Sequence, residues 1–134
     1  MTAPPARRNI ASGTPWEPVV GYSRAVRVGP HVHVSGTTAT DETGAVVGIG
    51  DAGTQTRQAL HNLIAALERA GATVRDVVRT RIFVTDIDAW RAIGEAHGEV
   101  FGGVRPATSM VEVRRLIHPD MLVEIEADAY VEDR

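Results

Sequence analysis

Leu122-Val123-Glu124-Ile125-Glu126-Ala127-Asp128-Ala129-Tyr130-Val131 alternates without a break. Val123, Ile125, Ala127, Ala129 and Val131 form an apolar stripe, while Leu122, Glu124, Glu126, Asp128 and Tyr130 point the other way. Successive side chains of a strand leave on opposite faces, so this segment predicts a strand with one face on a core and one face polar. The stripe needs a cover, and two helical patterns upstream supply it. Between Asp51 and Ala70, Leu60, Leu63, Ile64 and Leu67 recur at the spacing of one helix face, and Gly71 follows as a stop. A second helix starts after Asp86 or Asp88, either of which can cap it, and runs to about Val100, where Gly102-Gly103 ends it.

Between the helices, Val77 to Val84 reads as a strand, with Val78, Thr80, Ile82 and Val84 on one side and Arg79, Arg81 and Phe83 on the other. Residues 24–28 and 31–34 alternate on either side of Gly29-Pro30, which predicts a hairpin. Asp41-Glu42-Thr43-Gly44 marks a turn, with Val46-Val47 as a short strand after it. Ala107 to Val113 is a further strand, joined to the last one by a loop containing His118-Pro119-Asp120. The order is β-β-α-β-α-β-β. It predicts an α+β domain with a mixed sheet and both helices on one face. Residues 1–18, rich in Pro, Gly, Ser and Thr, read as an N-terminal arm, and 19–134 as one domain.

Composition narrows the chemistry. The chain has no cysteine, which removes disulfides, thiolate nucleophiles and Cys-bound zinc. It has no lysine either, which removes Schiff-base and P-loop lysines, so every basic side chain is Arg or His. The net charge of −3 disfavours nucleic acid as a partner. No segment has the apolar length of a membrane helix, and the N-terminus does not read as a secretory signal, so a cytoplasmic location is expected.

Several motifs, in order, resemble the RidA (YjgF) family. They are Val34-Ser35-Gly36, Thr56-Arg57-Gln58-Ala59-Leu60-His61-Asn62-Leu63, residues 77–86, residues 106–113 and Leu122-Val123-Glu124-Ile125-Glu126-Ala127. The resemblance covers roughly residues 20 to 131. It implies a chorismate-mutase-like fold and a homotrimer whose sheets close into a central barrel, with ligand clefts at the subunit boundaries. It implies hydrolysis of reactive enamines and imines to keto acids and ammonia, with no cofactor and no metal.

Residue by residue, the resemblance makes Glu124 the water-activating carboxylate. Tyr22, Ser35 and Gly36 line the cleft. The position of the family's carboxylate-gripping Arg is Thr108, and that of its nearby Cys is Met110. A Thr hydroxyl carries no charge and cannot replace a bidentate guanidinium, so this chain looks like a divergent branch. Arg24, Arg81 and Arg105 are the arginines that can bring a guanidinium near the cleft instead. His31 and His33 share a strand face but lack a third metal ligand. His118 stands in the loop before Glu124 as a candidate proton shuttle. Glu126 reads as an ion-pair partner for Arg79 or Arg81. Three functions remain in view: a small-metabolite hydrolase or deaminase, a non-catalytic metabolite-binding trimer, and the endoribonuclease or translation inhibitor of the family's older labels.

Overall fold

The structure is a computed structural model that describes residues 6–132. The first residues of the N-terminal arm and the last two of the expected domain lie outside the described residues.

The order of elements is β1 (Arg7–Ile10), α1 (Trp16–Val20), β2 (Ala25–Val28), β3 (His31–Thr37), α2 (Ala52–Arg69), β4 (Val77–Val84), α3 (Trp90–Phe101), β5 (Ala107–Glu112) and β6 (Val123–Tyr130). The six strands form one mixed sheet in the order β1-β2-β3-β6-β4-β5, in which only β4 and β5 run parallel. The last strand in sequence is thus central, as its unbroken alternation requires. Its stripe of Val123, Ile125, Ala127, Ala129 and Val131 is buried against Leu60, Leu63, Leu67, Ile93 and Phe101 of α2 and α3. Each of the Val, Leu, Ile and Phe side chains among them contributes roughly 1.5–3 kcal/mol on burial.

Helix α2 begins where Asp51 accepts a hydrogen bond from the Thr54 backbone N–H, and Gly71 at φ 81° turns the chain after it. Gln55, fully buried on α2, donates to the Asp120 carbonyl and accepts from the Leu122 N–H. That pair of bonds ties the entry of β6 to the helix layer.

Four local readings change. Residues 7–10 of the expected arm pair with β2 as an edge strand, and 16–20 form a short helix. Val78 is exposed rather than facing the core, because a bulge between Val77 and Arg79 slips the β4–β6 register and buries Val77 instead. Asp86 caps a short 3-10 turn at 87–89, not α3 itself. Val46 makes one isolated bridge to Thr40 in place of a strand.

Candidate functional site

A second bulge matters more. The β3–β6 register shifts between Val34 and Thr37, so Ser35-Gly36 is where strand β3 bends away from β6. Glycine inside a strand marks such points of close approach. What approaches is Glu124: a Cβ built on Gly36 would stand 2.7 Å from both Cδ and Oε2 of that carboxylate.

Arg24, at the start of β2, locks the bulge. Its Nη1 donates to the Gly36 carbonyl at 2.6 Å and to Thr37 Oγ1 at 3.0 Å, and its Nη2 donates to the Tyr22 hydroxyl at 3.3 Å. The guanidinium also lies 5.6 Å from the Tyr22 ring centroid, and the residue is 9% exposed. Arg24 is therefore committed to the site's framework rather than presented as a free carboxylate grip. Ser35 donates its hydroxyl to the Ser23 carbonyl.

Glu124 is half-buried. Burial pushes its carboxyl above the usual carboxylate range, repulsion from Glu126 adds to this, and the Arg24 charge opposes both. Arg81 pairs with Glu126 at 3.3 Å and Asp128 at 3.2 Å, and Arg105 precedes β5, with β4 lying between that strand and β6. Glu126 has the ion-pair role expected of it.

Thr108, Met110 and Arg105 form a separate group on and before β5. Thr108 Oγ1 lies 2.7 Å from Thr80 Oγ1, which lies 2.9 Å from His97 Nε2 on α3, and Thr108 donates to the Pro106 carbonyl. Met110 packs against the core. Arg105 is exposed at φ 59°, with its backbone N–H on the Phe101 carbonyl. In register, Thr108 stands beside Thr80, whereas Glu124 stands beside Phe83 on the opposite face of β4. One chain thus gathers Tyr22, Arg24, Ser35, Gly36 and Glu124 at one place and leaves Thr108, Met110 and Arg105 at another, with strand β4 between.

The remaining candidates are placed as follows. His31 and His33 stack at 6.4 Å, and His33 Nδ1 contacts Asp128 at 2.8 Å. Among the described residues no three His, Asp or Glu side chains are grouped to hold a metal ion. His118 Nδ1 accepts from the Asp120 backbone N–H. No helix among the described residues is long and apolar enough to cross a membrane.

Two residues of the site went unseen in the sequence. Glu17 is 7% exposed and accepts from the backbone N–H and hydroxyl of both Ser12 and Thr14. Its own carbonyl accepts from the Gly21 and Tyr22 N–H groups. Thr14 in turn touches the Tyr22 hydroxyl at 3.2 Å. The signal was there: Thr14-Pro15-Trp16-Glu17 has the Thr-x-x-Glu spacing of a capping box, hidden in a stretch read as an arm.

The sequence model of the family described as Endoribonuclease L-PSP matches residues 13–131. The chain is 38% identical over 122 residues to the 3-aminoacrylate deaminase RutC of Acinetobacter baylyi, covering 91% of this chain and 95% of that one. It is similar to the crystal structure of Rv2704, a member of the YjgF/YER057c/UK114 family from Mycobacterium tuberculosis. The identity is 56%, the TM-score 0.86, and the cover 94% of this chain and 100% of that one. It is also similar to the crystal structure of the YjgF gene product of E. coli, at 32% identity and TM-score 0.78, over 96% and 98% of the two chains. With the family's sequence pattern over most of its length and the same α+β fold beneath it, this chain belongs to the Endoribonuclease L-PSP (YjgF/RidA) family.

Proposed function

We propose that this protein is a cytoplasmic hydrolytic deaminase of small enamines or imines, working without a metal or cofactor in clefts between the subunits of a homotrimer. The observation that carries this reading is Glu124: a half-buried carboxyl, its pKa raised by burial, held against the Gly36 bulge beside Arg24 and Tyr22. A carboxylate raised in this direction is a stronger base than an ordinary glutamate. In the reaction, an enamine takes a proton from solvent on carbon to give an iminium ion. Water adds to the iminium carbon as the Glu124 carboxylate takes a proton from it; the Glu124 carboxylic acid then protonates the carbinolamine nitrogen, and ammonia leaves as the hydroxyl returns its proton to solvent and becomes the carbonyl. The deaminase RutC supports this class of substrate by its similarity over 91% of this chain.

The separation of the two groups supports the trimer. A ligand touching both Glu124 and Thr108 has to meet them from two copies of the chain, since they stand on opposite faces of one sheet. The outer sheet face, with Val78 and Tyr130 exposed beside Arg81, Glu126 and Asp128, is the surface that neighbouring copies would cover.

The second reading is a metabolite-binding trimer without catalysis. Its specific support is Thr108, whose hydroxyl is already engaged by Thr80 and Pro106 and carries no charge for a carboxylate. The test is incubation with freshly generated 3-aminoacrylate and 2-aminoacrylate, following ammonia. Release above the uncatalysed rate supports the enzyme, whereas binding without release supports the second reading. Nuclease activity is the least favoured, given the net charge of −3.

A further inference from the structure

The contact between Thr14 and Tyr22 is between two hydroxyls, and either oxygen alone could be the donor. The surrounding bonds decide which one is. A hydroxyl has one proton. Thr14 sends its proton to Glu17 Oε2 at 2.8 Å, because a carboxylate with four donors around it can only accept. Thr14 Oγ1 can then meet Tyr22 only as an acceptor, so Tyr22 donates. Arg24 has only protons to give, so its Nη2 donates to the Tyr22 oxygen. Every bond in the row therefore runs one way, from Arg24 to Tyr22 to Thr14 to Glu17.

We propose that Glu17 is a positioning residue that fixes the direction of this chain, so that Tyr22 meets a ligand as a hydrogen-bond acceptor and selects one carrying an N–H group. The proton of Tyr22 is held toward Thr14, away from any ligand. What remains on its oxygen for a partner is a lone pair. Such a site favours an amine, enamine N–H or iminium over a carbonyl of the same shape, because a carbonyl would set two acceptors against each other. A single mismatched hydrogen bond of this kind costs about 1–3 kcal/mol, or roughly 5- to 150-fold in affinity. The charge at Glu17 is secure over the working range. Burial raises its pKa, but the bonds from Ser12 and Thr14 outweigh that and hold it at about 2.

The selectivity rests on the proposed enamine or imine function, while the direction of the chain does not, and two measurements keep them apart. A neutron crystal structure of the deuterated wild-type protein shows hydroxyl deuterons directly. The Tyr22 deuteron is expected on the line to Thr14 Oγ1 and the Thr14 deuteron on the line to Glu17. A Tyr22 deuteron anywhere else overturns the proposal. The second measurement titrates 3-aminocrotonate and its carbonyl counterpart acetoacetate in a Glu124→Gln background, which removes the proposed base so that the enamine persists. That protein is expected to prefer the enamine at least fivefold. Adding Thr14→Val, which removes the acceptor of the Tyr22 proton, or Glu17→Ala, which removes the acceptor that fixes the Thr14 hydroxyl, should abolish or reverse the preference. An unchanged preference in both variants overturns the selectivity. If neither probe binds, the enamine reading falls and the selectivity with it, while the neutron map still decides the direction.

Discussion

The Glu124 carboxylate leans so closely over Gly36 that a single methyl group added to the glycine would stand 2.7 Å from its Cδ and Oε2. Gly36 lies outside the left-handed backbone region, so alanine is acceptable to the main chain itself. The cost of Gly36→Ala therefore falls on the flexible end of Glu124, which must swing away. We expect turnover to fall roughly 10²-fold, the loss that follows from moving a catalytic group by about 1 Å. The thermal midpoint should change little. Full activity in Gly36→Ala would show that the carboxylate does not need this position.

Glu17 supports the segment that carries Tyr22. Its folded pKa lies below the ordinary value of 4.5, at about 2, so its stabilisation is fully present above about pH 4.5 and is lost as pH falls toward 2. Glu17→Ala leaves the Ser12 and Thr14 donors without their acceptor and should cost about 1–3 kcal/mol at neutral pH. Urea denaturation should show the gap between wild type and variant closing below pH 3. A gap independent of pH would mean that the ionised carboxylate is not the stabilising group.

His97, Thr80 and Thr108 form a polar row in the layer between α3 and the sheet. Burial lowers the His97 pKa below 6.5. The folded state thus resists protonation, and stability contributed by neutral His97 should fall as pH drops from about 6.5 toward the lowered value. Thr80→Val breaks both bonds at once and should cost roughly 1–2 kcal/mol. Thermal melts of wild type and His97→Gln at pH 7.5 and 5.5 check the sign: wild type should lose more on acidification than the variant.

Thr108→Arg tests the proposed substrate-carboxylate position on the edge strand. The arginine loses the bonds to Thr80 and Pro106 but brings a guanidinium to a position that faces another copy in the proposed trimer. Activity on a carboxylate-bearing enamine such as 2-aminoacrylate should rise roughly tenfold or more, since a charge-assisted bond contributes about 1.5–3 kcal/mol. No gain would mean that position 108 does not face the carboxylate of the proposed ligand.

Much of this fold can be read from patterns that repeat. The stripe of β6, the helical spacing of Leu60, Leu63 and Leu67, and the Gly29-Pro30 hairpin all recur over enough residues to outweigh local noise, and each lies where its pattern put it. Single-residue events were hidden. The bulge at Val78 slips the strand by one residue, and no periodicity before it announces that slip. The short strand at 7–10 has no pattern of its own and owes its form to pairing with β2. At the site, Glu124, Tyr22 and Ser35-Gly36 were legible through the family's motifs. Arg24 was legible as a nearby charge but not as the lock on the Gly36 carbonyl, because its bonds go to backbone that sequence does not display. Thr14 and Glu17 were missed because their Thr-x-x-Glu spacing lies in a Pro- and Gly-rich stretch that looks like a linker.

The central claim is that Glu124 is the base of a hydrolytic reaction, and Glu124→Gln measures it most directly. The raised pKa of Glu124 means that its ionised form costs stability: the contribution is present below about pH 4.5 and lost as pH rises through the folded value. The glutamine variant should therefore melt no lower than wild type near pH 7 while light scattering reports the same oligomeric state for both. Ammonia release from 3-aminoacrylate should fall by roughly 10²-fold or more, and the wild-type rate should decline on acidification through a pKa above 4.5. Wild-type turnover retained by a folded Glu124→Gln protein would contradict the account, and Glu124 would be a structural residue of the bulge.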